Sequence, residues 1–369
     1  MRPLAVGGYT TSEVRAALHR GSRSWRFRYE LLDVNGRPKR ELTNVLSTTI
    51  SNDATAKVKR TARFDIVDDG GIDFLSERIK AYVGLVMPDG GVAEWPMGVF
   101  LLTTPPREAD ESGVVTRKVD AYDLLQVLTD DRVLTRHTIL AGAKYTDAVA
   151  DLIDSAGLFE LAIAPSDAVL PSARDWDMGT PRLDIINDLL SAICYRSLYV
   201  TEDGVVCARP YVPASARGSD YSYEADDESV LFPAITDKLD LFAVPNQWLL
   251  VRSEADSAPL TASWTNRNPD SPTSTIHRGR LIVHFETGVD AADQAALDAI
   301  VQRMAEEASQ VYEEIEFKTG LMPFHGEYDV LQLEYTPLGL YGKFLETQWS
   351  LEMAAGKQMT HIVQRMVAV

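Results

Sequence analysis

The chain has 369 residues, 45% of them apolar and 24% charged, with a formal net charge of −18. That length exceeds one ordinary domain and that apolar share can bury cores, which argues against a disordered chain and for two or three compact units. An acidic body repels phosphates, which argues against sequence-specific nucleic-acid binding.

The N-terminal segment 1–40 runs against this balance. It holds nine Lys and Arg against three acids, so it carries +6 and the rest of the chain carries −24. A basic arm on an acidic body suits docking onto an acidic neighbour or an identical subunit; a solvated N-terminus is the plainer reading. Residues 10–20 read as a short helix capped by Thr11 or Ser12, with Val14, Ala17 and Leu18 on one face and Gly21 as its stop. Alternation then begins: Trp25, Phe27, Tyr29 and Leu31 share one face of a strand, Arg26, Arg28 and Glu30 the other. Interleaved aromatics and arginines could stack single-stranded bases, but an aromatic core face with a charged outer face accounts for them better on an acidic chain. Asn35-Gly36 signals a turn. Strands are predicted at 45–50, 61–67, 81–87, 93–104 and 113–121, with Asp89-Gly90 as a hairpin turn. Six strands in about 100 residues point to a barrel or sandwich. A helix follows, with Asp120 as its cap and Leu124, Leu125 and Leu128 in its stripe.

The pattern changes after residue 130. Tyr145, Ala148, Val149, Leu152, Ile153 and Ala156 fall at helical spacing, with Thr146 as N-cap and Gly157 as stop. A second helix is predicted over 181–195, with Pro181 in its first turn, then a hairpin turning at Asp203-Gly204. Residues 214–229 are polar and acidic, a loop. Strands resume at 246–253, 263–265 and 280–287, a long helix fills 290–312, and further strands occupy 315–319, 329–335, 342–353 and 360–367. This gives an α+β, mainly β chain with an arm over 1–24, a β body over 25–130, a small α/β body with its acidic linker over 131–240, and a second β body over 241–369.

Chemistry is hard to find. No phosphate-cradling glycine loop, GxSxG elbow or HExxH occurs. The six histidines (His19, His137, His277, His284, His325 and His361) are scattered without zinc spacing, so a metal site would need a distant trio to converge. The acidic groups 68–69, 130–131, 226–228 and 313–314 read as turns, helix ends and solvated loop, not as a glycosidase pair. No catalytic residue, cofactor or metal is expected. Cys194 and Cys207 lack CxxC spacing and read as buried thiols. No apolar run reaches the ~18 residues of a membrane span. The opening stretch MRPLAVGGYTTSEVR lacks a signal-peptide core, so neither membrane insertion nor export by that route is expected.

The order of parts is informative. A β body ends in Val119-Asp120-Ala121-Tyr122-Asp123-Leu124-Leu125. A helix runs from Tyr145-Thr146-Asp147-Ala148-Val149 to Ser155-Ala156-Gly157-Leu158. The segment 178–211 reads as turn, helix and hairpin, and a second β body opens at Val244-Pro245-Asn246-Gln247-Trp248. This order resembles the baseplate hub and tail-tip hub proteins of tailed phages and their relatives in contractile injection systems, over about residues 25–369. The resemblance implies two tail-tube-like β-barrel domains flanking the small α/β domain, and a homotrimer whose six barrels form a pseudo-hexameric ring. It implies contact with a distal tail protein or tail-tube ring, a tape measure protein and a central spike or fibre, with DNA only in transit. It places the chain in the virion tail tip, assembled in the host cytoplasm. Arg15, Arg20, Arg23, Glu306 and Glu307 are the candidate assembly residues. A carbohydrate- or receptor-binding tail module and a cell-wall hydrolase are the alternatives.

Overall fold

The computed structural model describes residues 1–170, 172–193, 195–212, 216–225, 229–238, 241–252, 259–289, 294–309 and 311–367. Its elements begin with α1 (Thr11–Leu18), β1 (Trp25–Leu32), β2 (Pro38–Leu42), β3 (Val45–Asp53), β4 (Arg60–Val67), β5 (Arg78–Val86), β6 (Val92–Leu102), β7 (Glu108–Ala109), β8 (Val115–Tyr122) and α2 (Leu125–Asp130). The middle of the chain forms β9 (His137–Ile139), α3 (Tyr145–Asp154), β10 (Leu161–Ile163), β11 (Arg174–Trp176), α4 (Arg182–Ala192), β12 (Tyr199–Val200) and β13 (Val206–Ala208). Then come β14 (Tyr221–Glu224), β15 (Thr236–Lys238), β16 (Gln247–Arg252), β17 (Leu260–Thr265), α5 (Thr275–Arg278), β18 (Val283–Thr287), α6 (Gln294–Ser309), β19 (Val311–Thr319), β20 (Val330–Tyr335), β21 (Leu340–Glu352) and β22 (Met359–Val367). The mainly β, α+β expectation holds.

The chain forms two compact units, one of residues 1–234 and 317–362, the other of 235–316 and 363–369. These cuts differ from the sequence boundaries at 130 and 240, and the pairings give the reason. In the first unit β21 lies antiparallel beside β3, with Ser350 opposite Ser51, and β14 lies parallel to β20. Late chain thus completes a sheet begun by early chain, in the order β22-β21-β3-β4-β8-β6-β5-β1-β2. That path does not close into a barrel among the described residues. At its end β2 carries exposed Pro38, Lys39, Arg40 and Glu41, and proline with charge blunts an edge against further pairing.

Alternation sets the core of this sheet. Arg60, Ala62, Phe64 and Ile66 of β4 point inward, and Phe64 meets Tyr29 and Phe100 edge-to-face at 6.2 and 5.8 Å. Burying each such ring contributes roughly 1.5–3 kcal/mol. A bulge breaks the β5–β6 register between Ala81 and Tyr82. Gly98 sits there at φ 147°, where a β-carbon would meet the Phe100 ring at 2.5 Å.

The α/β segment forms a second core, which also takes in Leu32 of β1 and Val99 of β6. Val149, Leu152 and Ile153 of α3 pack with Leu183, Ile186, Leu189 and Leu190 of α4 over Val200 and Val206. The starts of α1, α2, α3 and α4 differ from the sequence expectation. Thr10 caps α1 in a capping box with Glu13, because its hydroxyl reaches the Glu13 N–H while Thr11 is already helical. Pro181 is the N-cap of α4, outside its first turn. Lys144 precedes α3, and Thr146 is buried within it. Asp123, not Asp120, serves α2: its carboxylate accepts from the Leu125 N–H at 2.9 Å, while Asp120 pairs with Arg63 on the surface. In the second unit, Leu297, Val301 and Ala305 of α6 cover Trp248, Leu250 and Ala262 of the β17-β16-β18 sheet. No helix among the described residues is long and apolar enough to cross a membrane.

Candidate functional site

Polar side chains occupy core positions of the first unit in two groups. In β21, Phe344 and Glu346 point inward, and in β22 Met359 and His361 do. Glu346 and His361 therefore stand where alternation places apolar residues. His325 enters from the buried stretch 321–326 that follows β19. Each of the three is at most 1% exposed. The His325 Nδ1 lies 2.6 Å from Glu346 Oε2, and the His361 Nδ1 lies 2.6 Å from Glu346 Oε1. On the far side of each ring a hydroxyl takes up the second nitrogen: Tyr223 Oη at 2.7 Å from His325 Nε2, and Thr319 Oγ1 at 2.8 Å from His361 Nε2.

Aromatic neighbours fix the ring planes. Phe317 stacks on His361 at 4.8 Å and 12°, and Phe324 lies against His325 at 5.3 Å and 26°. Burial opposes the charge on Glu346, but the two imidazoles outweigh it and lower its pKa to about 2. Burial lowers His361 to about 4 against the pull of Glu346, and burial pushes the Tyr223 hydroxyl well above its ordinary value. Asp329 adjoins the group: its Oδ2 is 3.9 Å from His325 Nδ1, it accepts from the Gly326 N–H, and it pairs with the Met1 amino group.

The second group centres on Arg60, 1% exposed. Its Nη2 reaches Glu202 Oε1 at 2.8 Å and Glu327 Oε1 at 3.2 Å. The guanidinium also lies over the Trp349 ring at 5.6 Å, and its backbone N–H donates to Asp123 Oδ2 at 2.9 Å. Burial raises Glu327 to about 7 against the Arg60 charge. Lys59 beside it donates to the carbonyls of Ala54 and Ala56. Buried charge survives only when paired and hydrogen-bonded, and one cation shared by two carboxylates fixes how β4, the 201–204 turn and the 326–329 turn meet.

The arm residues are placed separately from these groups. Arg15 lies over the Tyr221 ring at 5.4 Å, with its own chain exposed. Arg20 is exposed. Arg23 is half-buried, donates to the Leu18 carbonyl at 3.0 Å and packs where only Gly320 leaves room. Glu306 and Glu307 fall on α6, but their side chains lie outside the described residues, as do Cys194 and residues 226–228. Cys207 is a buried free thiol in β13.

No protein-family model and no curated protein matches the sequence. Solved structures do. A tail protein from Neisseria meningitidis MC58 superposes with a TM-score of 0.65 at 10% identity, covering 92% of this chain and 96% of that one. The 43 kDa tail protein of prophage MuSo2 from Shewanella oneidensis gives 0.63 at 10% identity, covering 92% and 98%. The chain has the fold of these tail proteins. A chain of the Francisella PdpA–VgrG complex also superposes, with a TM-score of 0.60 at 10% identity over 96% of this chain and 60% of that one. At such identity the likeness is one of fold, and within the tail-protein fold the two buried groups are described by this chain's own residues.

Proposed function

We propose that this chain is the structural hub of a phage-type tail tip or baseplate, and that it works by assembly and not by catalysis. The observation that carries this reading is agreement in fold with two tail proteins, one of them from a prophage, each matched over more than nine-tenths of its length. Three copies close the end of the tail tube as a pseudo-hexameric ring and join it to a central spike or fibre. We take the tube-like β modules as residues 25–130 and 241–369, with the late strands β20, β21 and β22 joined to the sheet of the first. The arm 1–24 ties the ring to a distal tail protein or tail-tube ring, through Arg15 and Arg20 and, on the other side of the contact, Glu306 and Glu307. The tape measure protein and then DNA pass through the channel. The −24 charge carried beyond position 40 suits that passage, since like charge keeps a polyanion from sticking. Buried charge groups sealed from solvent suit a rigid frame under load better than a catalytic cleft.

Light scattering of the purified chain, alone and with a tail-tube ring protein, tests the reading. A mass three times that of the chain alone, or three chains plus the ring protein in the mixture, is the expected result. A monomer in both, or clearing of cell walls in a zymogram, overturns it.

A further inference from the structure

We propose that His325, Glu346 and His361 form a buried binding site for a divalent transition metal of the zinc class. This inference stands apart from the tail-hub reading and rests on the geometry of the first unit alone.

Two imidazoles and one carboxylate offer ligand atoms that all lie within 4.8 Å of one another, and all three residues are buried. Nitrogen and oxygen donors in this mixture suit zinc and its first-row neighbours better than calcium or magnesium, which prefer all-oxygen sets. The donors come from rigid places. Glu346 and His361 sit on neighbouring strands β21 and β22, and stacked Phe317 and Phe324 hold the imidazole planes. Each Nε2 meets a hydroxyl, Tyr223 or Thr319. Metal-binding histidines are held in this way, with the nitrogen away from the metal engaged by an outer hydrogen-bond partner.

Proton counting at His361 adds a second, independent point. A threonine hydroxyl has one proton to give. Thr319 gives it to the Gly320 carbonyl at 2.7 Å, so its oxygen must accept from His361 Nε2. The Nδ1 of a neutral His361 then carries a lone pair, and this lone pair faces a carboxylate oxygen 2.6 Å away. Two acceptors at that distance require positive charge between them. A proton on His361 supplies it, and so does a metal ion, which Glu346 and both rings can share. Asp329 Oδ2, 3.9 Å from His325 Nδ1, is within a small shift of being a fourth donor. Metal–ligand bonds of about 2.0–2.2 Å in a tetrahedron set neighbouring ligand atoms about 3.3 Å apart. On binding, the two 2.6 Å contacts therefore open by several tenths of an ångström.

The test uses the full chain without a histidine tag, produced in medium supplemented with zinc or with cobalt, dialysed, and assayed for metal by mass spectrometry. The expected result is about one metal per chain, with visible absorption of tetrahedral type in the cobalt form. His325→Gln, His361→Gln and Glu346→Gln each lose that metal, while His284→Gln, on the exposed strand β18, keeps it. Folded wild-type protein from both media with no metal overturns the proposal, and so does metal that persists in folded His361→Gln or Glu346→Gln. Should the histidine variants fail to fold, the wild-type content and the near-isosteric Glu346→Gln decide alone.

Discussion

Arg60→Met is the sharpest probe of the frame. Methionine keeps most of the buried stem beneath Trp349 and removes the guanidinium that Glu202 and Glu327 share at 2.8 and 3.2 Å. Glu202 then keeps only Arg2, 3.6 Å away, and Glu327 keeps no ion-pair partner among the described residues, in a site where the two carboxylate side chains are 8% and 4% exposed. Removing one member of a buried ionic group costs about 3–5 kcal/mol, because the remaining charge has no counterpart. With a urea slope of about 3 kcal/mol/M, the unfolding midpoint falls by about 1 M or more. Equilibrium urea unfolding at pH 7.5, followed by tryptophan fluorescence, measures this. Neutralising the abandoned partners in Arg60→Met/Glu202→Gln/Glu327→Gln recovers a large part of the loss, since uncharged groups are cheaper to bury. A single variant within about 1 kcal/mol of wild type, or a triple variant no better than the single, refutes the claim that Arg60 holds these segments together.

Other outcomes follow from the same packing. Leu189→Ala removes a fully buried side chain between α3 and α4 and lowers stability by about 2–5 kcal/mol in the same urea assay. Gly98→Ala forces a methyl into the Phe100 ring at a φ of 147°, which costs about 1–3 kcal/mol and lowers the thermal midpoint. Asp68 accepts from Arg117 Nε at 2.7 Å, and that hydrogen bond holds its pKa below the ordinary carboxylate value. Its contribution is therefore complete above the unfolded pKa and is lost as pH falls through the lower, folded one. Asp68→Asn flattens the acid limb of a stability–pH curve, and an unchanged slope would count against the pairing.

Much of the fold was legible because alternation and helical spacing are local. The run from Trp25 to Leu31 predicted β1, and the stripe from Tyr145 to Ile153 predicted α3, since both record which face is buried. What stayed hidden depends on distant chain. Nothing near Ser51 says that Ser350 will lie opposite it, so local pattern alone does not reveal that early and late strands share a sheet. Cap positions shifted by one to three residues because Thr10, Thr11 and Ser12 compete locally and tertiary contacts choose among them. The polar core followed the same rule. His325 and His361 are 36 positions apart and show no ligand spacing. A sequence signal did exist: Glu346 and His361 occupy inward slots between Phe344, Met359 and Val363, and a charged group in a core slot calls for a partner. Reading that signal required knowing which face was inward, and the strand of Glu346 changes its inward parity at Thr347.

The most direct measurement of the hub account is an averaged image of tails carrying a tag on this chain. The account predicts tagged density confined to the tube's distal end, in three copies around the axis. Density spread along the tube, sixfold copies of the tag, or tails that lack the chain would contradict it.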